Sequence, residues 1–339
     1  MLETTNVAFH WERRTVFITG IGGFVGCALA QAVLDQGARV VGILRDAAGA
    51  RLLKTFGIDN QVELVHGSIT EAGLVQRALN EYEVDTLFHL AAQALVGVAN
   101  RSPESTFESN ILGTWRVLEA ARLTDCVERV VVASSDKAYG IQAVLPYREN
   151  TPLHGIYPYD ASKACADILA RSYAASFGLP VAVTRCANIY GPGDLNWSRL
   201  IPGTIHSALI GTDPIVRSDG TPERDYIHVD DAVAAYMLLA EHLPTRAGEA
   251  FNFGSGHAVS ALRVVELILE AVANPGLQPR ILGEARGEID RQCLDSRKAR
   301  ELLGWEPTVG LADGISRSLT WYADYLASFS QLKEEAGIA

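Results

Sequence analysis

Tyr159 and Lys163 stand four residues apart in YPYDASKACADILARSYAASFG, a stretch with helical patterning, so both side chains fall on one face. A phenol titrates at about 10 and is a poor base at neutral pH, but a neighbouring ammonium favours the phenolate. Such a pair can take a proton from an alcohol. A hydroxyl that orients the same oxygen would complete the site, and Ser135 in ASSDKAYG is the candidate. Asp136 and Lys137 follow it directly, although two charged residues look misplaced after a core strand as apolar as RVVVA. The bland alternatives are a half-buried Tyr beside a solvated Lys, and an inert Asp–Lys pair on a strand-end loop.

These residues need a scaffold that fixes a strand end against a helix. From Thr15 the chain alternates short β-branched runs with longer amphipathic stretches; TVFITG, RVVGILR, QVELVHGS, TLFHLAAQ, RVVVASS and PVAVTRC read as strands. Apolar strands that do not alternate, each followed by a helix, predict a parallel sheet covered on both faces. GCALAQAVLDQG reads as a helix ending at Gly37, and in FESNILGTWRVLEAARL the side chains of Phe107, Ile111, Trp115 and Leu118 share a face. After Cys186 the rhythm breaks. ANIYGPGDLNWSRLIP reads as loop, RDYIHV and EAFNFGS as strands, and ALRVVELILEAV, RKARELLG and GISRSLTWYADYL as helices. The expected fold is α/β: a Rossmann-type doubly wound parallel sheet with a smaller, discontinuous C-terminal lobe, and a ligand at the carboxyl ends of the strands.

VFITGIGGFVGCALA sets Gly20, Gly23 and Gly26 between a strand and a helix, with Phe24 and Val25 also expected at the cofactor. Glycines in that context allow a tight turn and close approach of backbone to a pyrophosphate, so a dinucleotide is expected. RVVGILRD ends the second strand with both Arg45 and Asp46. An acid there favours the free ribose of NAD and an arginine the 2′-phosphate of NADP. NAD is the expected cofactor, with NADP left open.

The 339 residues are 48% hydrophobic and 20% charged, which describes a soluble globular chain with a large core. A net charge of −11 argues against a nucleic-acid partner but not against an anionic small molecule. Five scattered cysteines lack metal-ligand spacing and read as reduced core thiols, with no metal expected. No apolar run approaches the ~18 residues of a membrane span, and MLETTNVAFHWERR has no apolar signal core, so no membrane partner and a cytoplasmic location are expected. The polar end SFSQLKEEAGIA is expected to fray.

Taken together, the Gly20/Gly23/Gly26 set, HLAAQ (His89–Gln93), NILGT (Asn110–Thr114), Ser135, Tyr159/Lys163, ANIYGPG (Ala187–Gly193) and RDYIHVDDAV (Arg224–Val233) resemble the extended short-chain dehydrogenase/reductase family, the nucleotide-sugar epimerases and dehydratases. The resemblance runs from about Thr15 to about Leu326. It implies a dinucleotide-binding domain over 1–187 and 225–257, a nucleotide-sugar-binding lobe over 188–224 and 258–328, and a tail over 329–339. It also implies that Ser68, Ile69, Leu90, Ala91 and Ala92 line the cofactor and that Asn110 helps order the site. Ser68 departs from the family, whose members commonly have an Asp there.

Within the family, an acid after the hydroxyl residue marks the dehydratases that make 4-keto-6-deoxy sugars, and SSDKAYG looks like the CDP-glucose 4,6-dehydratase branch. The implied chemistry has Tyr159 taking the C4 hydroxyl proton while hydride moves to NAD. Lys137 acts at C5, Asp136 protonates the departing C6 hydroxyl, and hydride returns to C6. Arg224 and Arg286 match the family's pyrophosphate arginines, and Arg199, Leu200, Asn188 and Gln93 fall at substrate positions. PERDYIHVDDAV is the general family version, so base and sugar stay open. A 4-epimerase with the same Tyr159/Lys163/Ser135 is the alternative, and a non-catalytic dinucleotide sensor a minor one. A homodimer through the helices of Asn110 and Tyr159 is also implied.

Overall fold

β-Branched side chains have restricted rotamers and pack well on a pleated surface, and the runs that carry them become strands. The computed structural model describes residues 9–46, 49–243, 245–284 and 289–335, with side chains through residue 328. The strands are β1 (Thr15–Thr19), β2 (Arg39–Leu44), β3 (Val62–His66), β4 (Thr86–His89), β5 (Arg129–Ala133), β6 (Val181–Cys186), β7 (Asn188–Tyr190), β8 (Ile215–Val216), β9 (Glu223–His228), β10 (Ala250–Phe253), β11 (Ala258–Ser260) and β12 (Arg280–Ile281). The helices are α1 (Phe24–Asp35), α2 (Ala50–Thr55), α3 (Leu74–Glu81), α4 (Val96–Arg101), α5 (Pro103–Phe107), α6 (Gly113–Arg122), α7 (Pro158–Phe177), α8 (Leu200–Leu209), α9 (Val229–His242), α10 (Ala261–Val272), α11 (Arg297–Leu303) and α12 (Leu311–Glu335).

Seven strands form one sheet in the order β3-β2-β1-β4-β5-β6-β10, with parallel pairing from β3 through to β6. This is the doubly wound α/β sheet that the sequence predicts. Strand order reverses between β1 and β4, the place where such sheets hold a ligand. Its core includes Phe17 of β1, Val41 of β2, Leu87 of β4, Val130 and Val132 of β5, and Leu118 of α6, all essentially buried. Removing the Leu118 side chain there would cost about 2–5 kcal/mol.

The chain divides into two units. The first is Met1–Tyr139, Pro152–Arg185 and Val233–Phe251; the second is Gly140–Thr151, Cys186–Ala232 and Asn252–Ala339. The second has its own core around Tyr190, Ile201, Ile205, Val264, Ile268 and Tyr322. α10 starts where the Ser260 hydroxyl accepts from Arg263 N, a capping bond of the kind worth about 1 kcal/mol.

The structure departs from the sequence reading in three places. ANIYGPG is not all loop, because Asn188–Tyr190 pairs in parallel with Tyr226–His228 of β9. α12 continues to Glu335, into the segment expected to fray. Between α5 and α6, Glu108–Leu112 forms a π-helical turn. Phe107, Ile111, Trp115 and Leu118 do not share one buried face: Leu118 is buried while Phe107 and Trp115 are 38% and 52% exposed. The wider turn shifts Phe107 out of the register an uninterrupted α-helix would keep.

Candidate active site

β5 delivers the turn that carries the candidate residues Ser135, Asp136 and Lys137. Ser135 follows the strand and Asp136–Tyr139 forms one 3₁₀ turn, so hydroxyl, carboxylate and amine sit on consecutive residues of a tight bend. Ser135 Oγ donates to Asp136 Oδ1 at 3.0 Å and accepts from the Lys137 N–H at 3.2 Å. Asp136 is 2% exposed, and its second oxygen, Oδ2, has no hydrogen-bond partner among the described residues. A buried carboxylate oxygen left unpaired is costly, and such atoms are rare in folded proteins.

α7 starts with Pro158 at its first turn, where a missing N–H costs nothing, and ends at Gly178 in the left-handed region, φ +68°. Tyr159 and Lys163 lie one turn apart on it, both buried. Lys163 Nζ donates to the Ala133 carbonyl at 2.8 Å, and Ser134 Oγ donates to the Lys163 carbonyl at 3.3 Å. The helix is thus stitched to the end of the strand that carries Ser135. One further turn along, Asp167 receives both Arg185 Nε and Nη2, at 2.7 and 2.8 Å. Arg185 Nη1 donates to Tyr139 Oη at 2.8 Å. Burial opposes the guanidinium charge, but the bonds to Asp167 outweigh it and raise the Arg185 pKa above its ordinary value. This clamp holds the Asp136–Tyr139 turn, β6 and α7 together.

A second polar assembly lies under β1 and β4. Asn110, from the π-helical turn, accepts from Gln93 N at 2.7 Å and donates to the Gln93 carbonyl at 3.1 Å and to Ser162 Oγ at 2.8 Å. Ser162 Oγ donates to the Tyr159 carbonyl at 2.7 Å. Burial, with the Lys163 charge adding, lowers the His89 pKa to about 3, so the ring is neutral.

The glycine turn fits a dinucleotide. Gly20 has φ +76°, and a Cβ there would stand 2.8 Å from Ala91 N; one on Gly26 would stand 2.1 Å from the Gly20 carbonyl oxygen. No side chain caps α1, whose N-cap is Gly23 and whose first turn holds no acid, so Phe24, Val25 and Gly26 present free N–H groups as an anion site. Leu90 and Ala91 N–H both donate to Thr19 Oγ1, and Ala92 follows them half-buried. Arg45 and Asp46 are exposed after β2, with Asp46 Oδ1 accepting from Gly49 N at 3.2 Å. Ser68 bonds Thr70 and Glu71, and the Ile69 side chain packs into the core.

In the second unit, Asn188 Nδ2 donates to the Asp225 carbonyl, and Arg224 Nη1 to the Glu223 carbonyl. Arg199 stands at the N-terminal boundary of α8 just before Leu200, makes no side-chain capping bond, and pairs with buried Asp194 at 2.9 Å. Burial raises the Asp194 pKa, with Arg199 opposing. Arg286 lies outside the described residues. Among these residues no cluster of His, Cys, Asp and Glu could hold a metal, and no helix is long and apolar enough to cross a membrane.

Sequence reasoning missed Arg185, Asp167, Thr19, Thr114 and Ser162. A charged residue inside the apolar run PVAVTRC was the available signal for Arg185.

The family model described as GDP-mannose 4,6 dehydratase matches residues 17–318. A UDP-glucose 4-epimerase of Mycolicibacterium smegmatis is 32% identical over 309 residues, 90% of this chain and 97% of its own. A CDP-glucose 4,6-dehydratase of Salmonella typhimurium is 30% identical over 334 residues, 93% of this chain and 92% of its own. A crystal structure of a dTDP-glucose 4,6-dehydratase from Streptomyces venezuelae, with NAD bound, is 29% identical and covers 92% of this chain and 98% of that one, with a TM-score of 0.83. With these matches spanning nearly its whole length, the chain belongs to the GDP-mannose 4,6-dehydratase family of extended short-chain dehydrogenase/reductases, the enzymes of nucleotide-sugar 4,6-dehydration and 4-epimerisation.

Proposed function

We propose that this chain is an NAD-dependent nucleotide-sugar 4,6-dehydratase, converting an NDP-glucose, CDP-glucose among the candidates, to the NDP-4-keto-6-deoxy sugar. The observation that carries the reading is the buried Asp136 carboxyl with Oδ2 unpartnered. An elimination needs an acid at C6 that C4 chemistry alone does not, and a buried carboxyl with one oxygen unheld among the described residues supports Asp136 in that role. NAD is supported by the glycine turn and by Asp46 at the end of β2; when bound, it supplies a reversible hydride acceptor.

The protein's own groups divide the remaining work. Tyr159, with the Lys163 ammonium one turn away, takes the proton of the C4 hydroxyl, and Ser135 orients that oxygen. The resulting ketone acidifies the C5 hydrogen; Lys137 takes that proton as the C5 base and gives it back to C5 once hydride has returned to C6 after water loss. Asp136 gives its proton to the C6 hydroxyl, which leaves as water. Asn110 and Gln93 order the floor. The second unit's Arg199 and Arg224, with Arg286, are the proposed partners of the substrate diphosphate, and Asn188 and Leu200 of its nucleotide.

The relative from Mycolicibacterium favours a second reading, a 4-epimerase using the same Tyr159, Lys163 and Ser135. Product mass spectrometry after incubation with CDP-, UDP-, dTDP- and GDP-glucose and UDP-glucuronate separates the two. Loss of one water from a single substrate supports dehydration and names the nucleotide; an unchanged mass with an altered sugar means epimerisation.

A homodimer is part of the proposal. Trp115 on α6 and Leu123 at its end, with Ile168 and Phe177 on α7, are each about half exposed. Light scattering that returned a monomer mass would remove this part.

A further inference from the structure

His89 ends β4 buried, with Nδ1 2.8 Å from Thr19 Oγ1 and Nε2 2.8 Å from Thr114 Oγ1. Which nitrogen carries the proton follows from the two hydroxyls. Thr114 Oγ1 lies 2.7 Å from the Asn110 carbonyl oxygen. A carbonyl only accepts, so the Thr114 proton is committed there and its oxygen is left to accept from the ring. Thr19 Oγ1 already accepts from the Leu90 and Ala91 N–H groups, each at 3.1 Å, and its own proton can go to Nδ1. An Nε2–H imidazole with bare Nδ1 gives every donor in this group an acceptor. The opposite tautomer leaves the Asn110 carbonyl and a bare Nε2 competing for the one Thr114 proton, and leaves the Thr19 proton without an acceptor. A cationic ring would leave the Thr19 proton without its acceptor and would add a charge near Lys163.

The run of bonds extends past Thr114. Asn110 holds the Gln93 backbone through both its N–H and its carbonyl, and reaches Ser162, whose hydroxyl holds the Tyr159 carbonyl. A continuous set of hydrogen bonds therefore connects the backbone after β4 to the first turn of α7.

We propose that His89 is a positioning residue: a neutral imidazole, held as the Nε2–H tautomer by Thr19 and Thr114, that fixes residues 90–93 and the Asn110 backbone relative to Tyr159. The effect on turnover rests on Tyr159 being the group that moves the C4 proton. The tautomer itself does not depend on that reading.

The first test is ¹⁵N NMR of histidine-labelled wild-type protein at neutral pH, with His89 assigned by its perturbation in Thr114→Ser. The expected spectrum has a protonated, pyrrole-like Nε2 and a bare, pyridine-like Nδ1. A protonated Nδ1, in either the other tautomer or an imidazolium, overturns the proposal. The second test uses Thr114→Val, which keeps the shape and removes the acceptor for Nε2–H. Its kcat should fall about tenfold with KM for the nucleotide sugar within about twofold, and Thr114→Ser should restore it. An unchanged kcat in Thr114→Val also overturns it. If wild-type protein turns over no nucleotide sugar, the functional reading fails while the NMR result still decides the tautomer.

Discussion

Asp167 and Asp136 are two carboxylates buried to similar depth in the same unit, and their surroundings differ in one respect. Both oxygens of Asp167 are held by Arg185, which is itself tied to Tyr139. Asp136 has one oxygen held by Ser135 and the other without a hydrogen-bond partner among the described residues. Both oxygens of that ion pair are committed within the fold, and it fixes β6, α7 and the Asp136–Tyr139 turn. A half-satisfied carboxylate keeps an unmet bond at the end of a strand, in the residue type an elimination needs. Under the proposed function, the contrast separates a scaffold carboxylate from the proposed acid, two residues that burial alone would group together.

The contrast breaks first on stability. Asp167→Ala takes from the buried Arg185 guanidinium the carboxylate that holds Nε and Nη2, and should lower unfolding stability by about 3–5 kcal/mol in a denaturant titration. Asp136→Asn should change it by less than about 1 kcal/mol, since one bond to Ser135 can be kept. Equal losses in the two variants would erase the distinction.

Activity sharpens it from the other side. Asp136→Asn should slow water loss about 100-fold, while C4 oxidation continues and bound cofactor accumulates in its reduced, absorbing form. An unchanged rate with no such build-up counts against Asp136 as the acid. A smaller effect belongs to Tyr139→Phe, which deletes only the hydroxyl that Arg185 holds. It should cost about 1.5–3 kcal/mol of stability, as for other hydrogen bonds to charged groups; a neutral substitution would mean the clamp ends at Asp167.

The smallest predicted effect concerns a third buried group. The His89 pKa is lowered from 6.5 to about 3, so below about 6.5 the unfolded chain binds a proton that the folded chain refuses. Stability should therefore fall as the pH drops through that window, by about 1 kcal/mol from this group between pH 7 and 5.5. His89→Gln should remove that part of the slope; identical slopes in both proteins would show that His89 does not contribute it.

Much of this was legible in the sequence because it rests on local pattern. Non-alternating apolar runs announced the six parallel strands, three glycines between a strand and a helix announced the turn that Ala91 crowds, and a four-residue spacing put Tyr159 and Lys163 on one face. What stayed hidden depends on contacts distant in sequence. Arg185 and Asp167 meet only once β6 lies beside α7, and nothing in PVAVTRC names its partner. The π-helical turn at Asn110 has no period of its own to read, and β7 is three residues long and defined by its pairing with β9. The His89 tautomer is further removed still, since it follows from two hydroxyls on other elements.

The most direct test of the central claim, that Asp136 turns C4 chemistry into loss of water, follows a label. An NDP-glucose carrying deuterium at C4 is supplied to the wild-type enzyme, and the product is analysed by mass and by NMR. The account predicts a product one water lighter with the deuterium moved to C6. Deuterium retained at C4 in a product of unchanged mass would contradict it, and would identify the reaction as epimerisation.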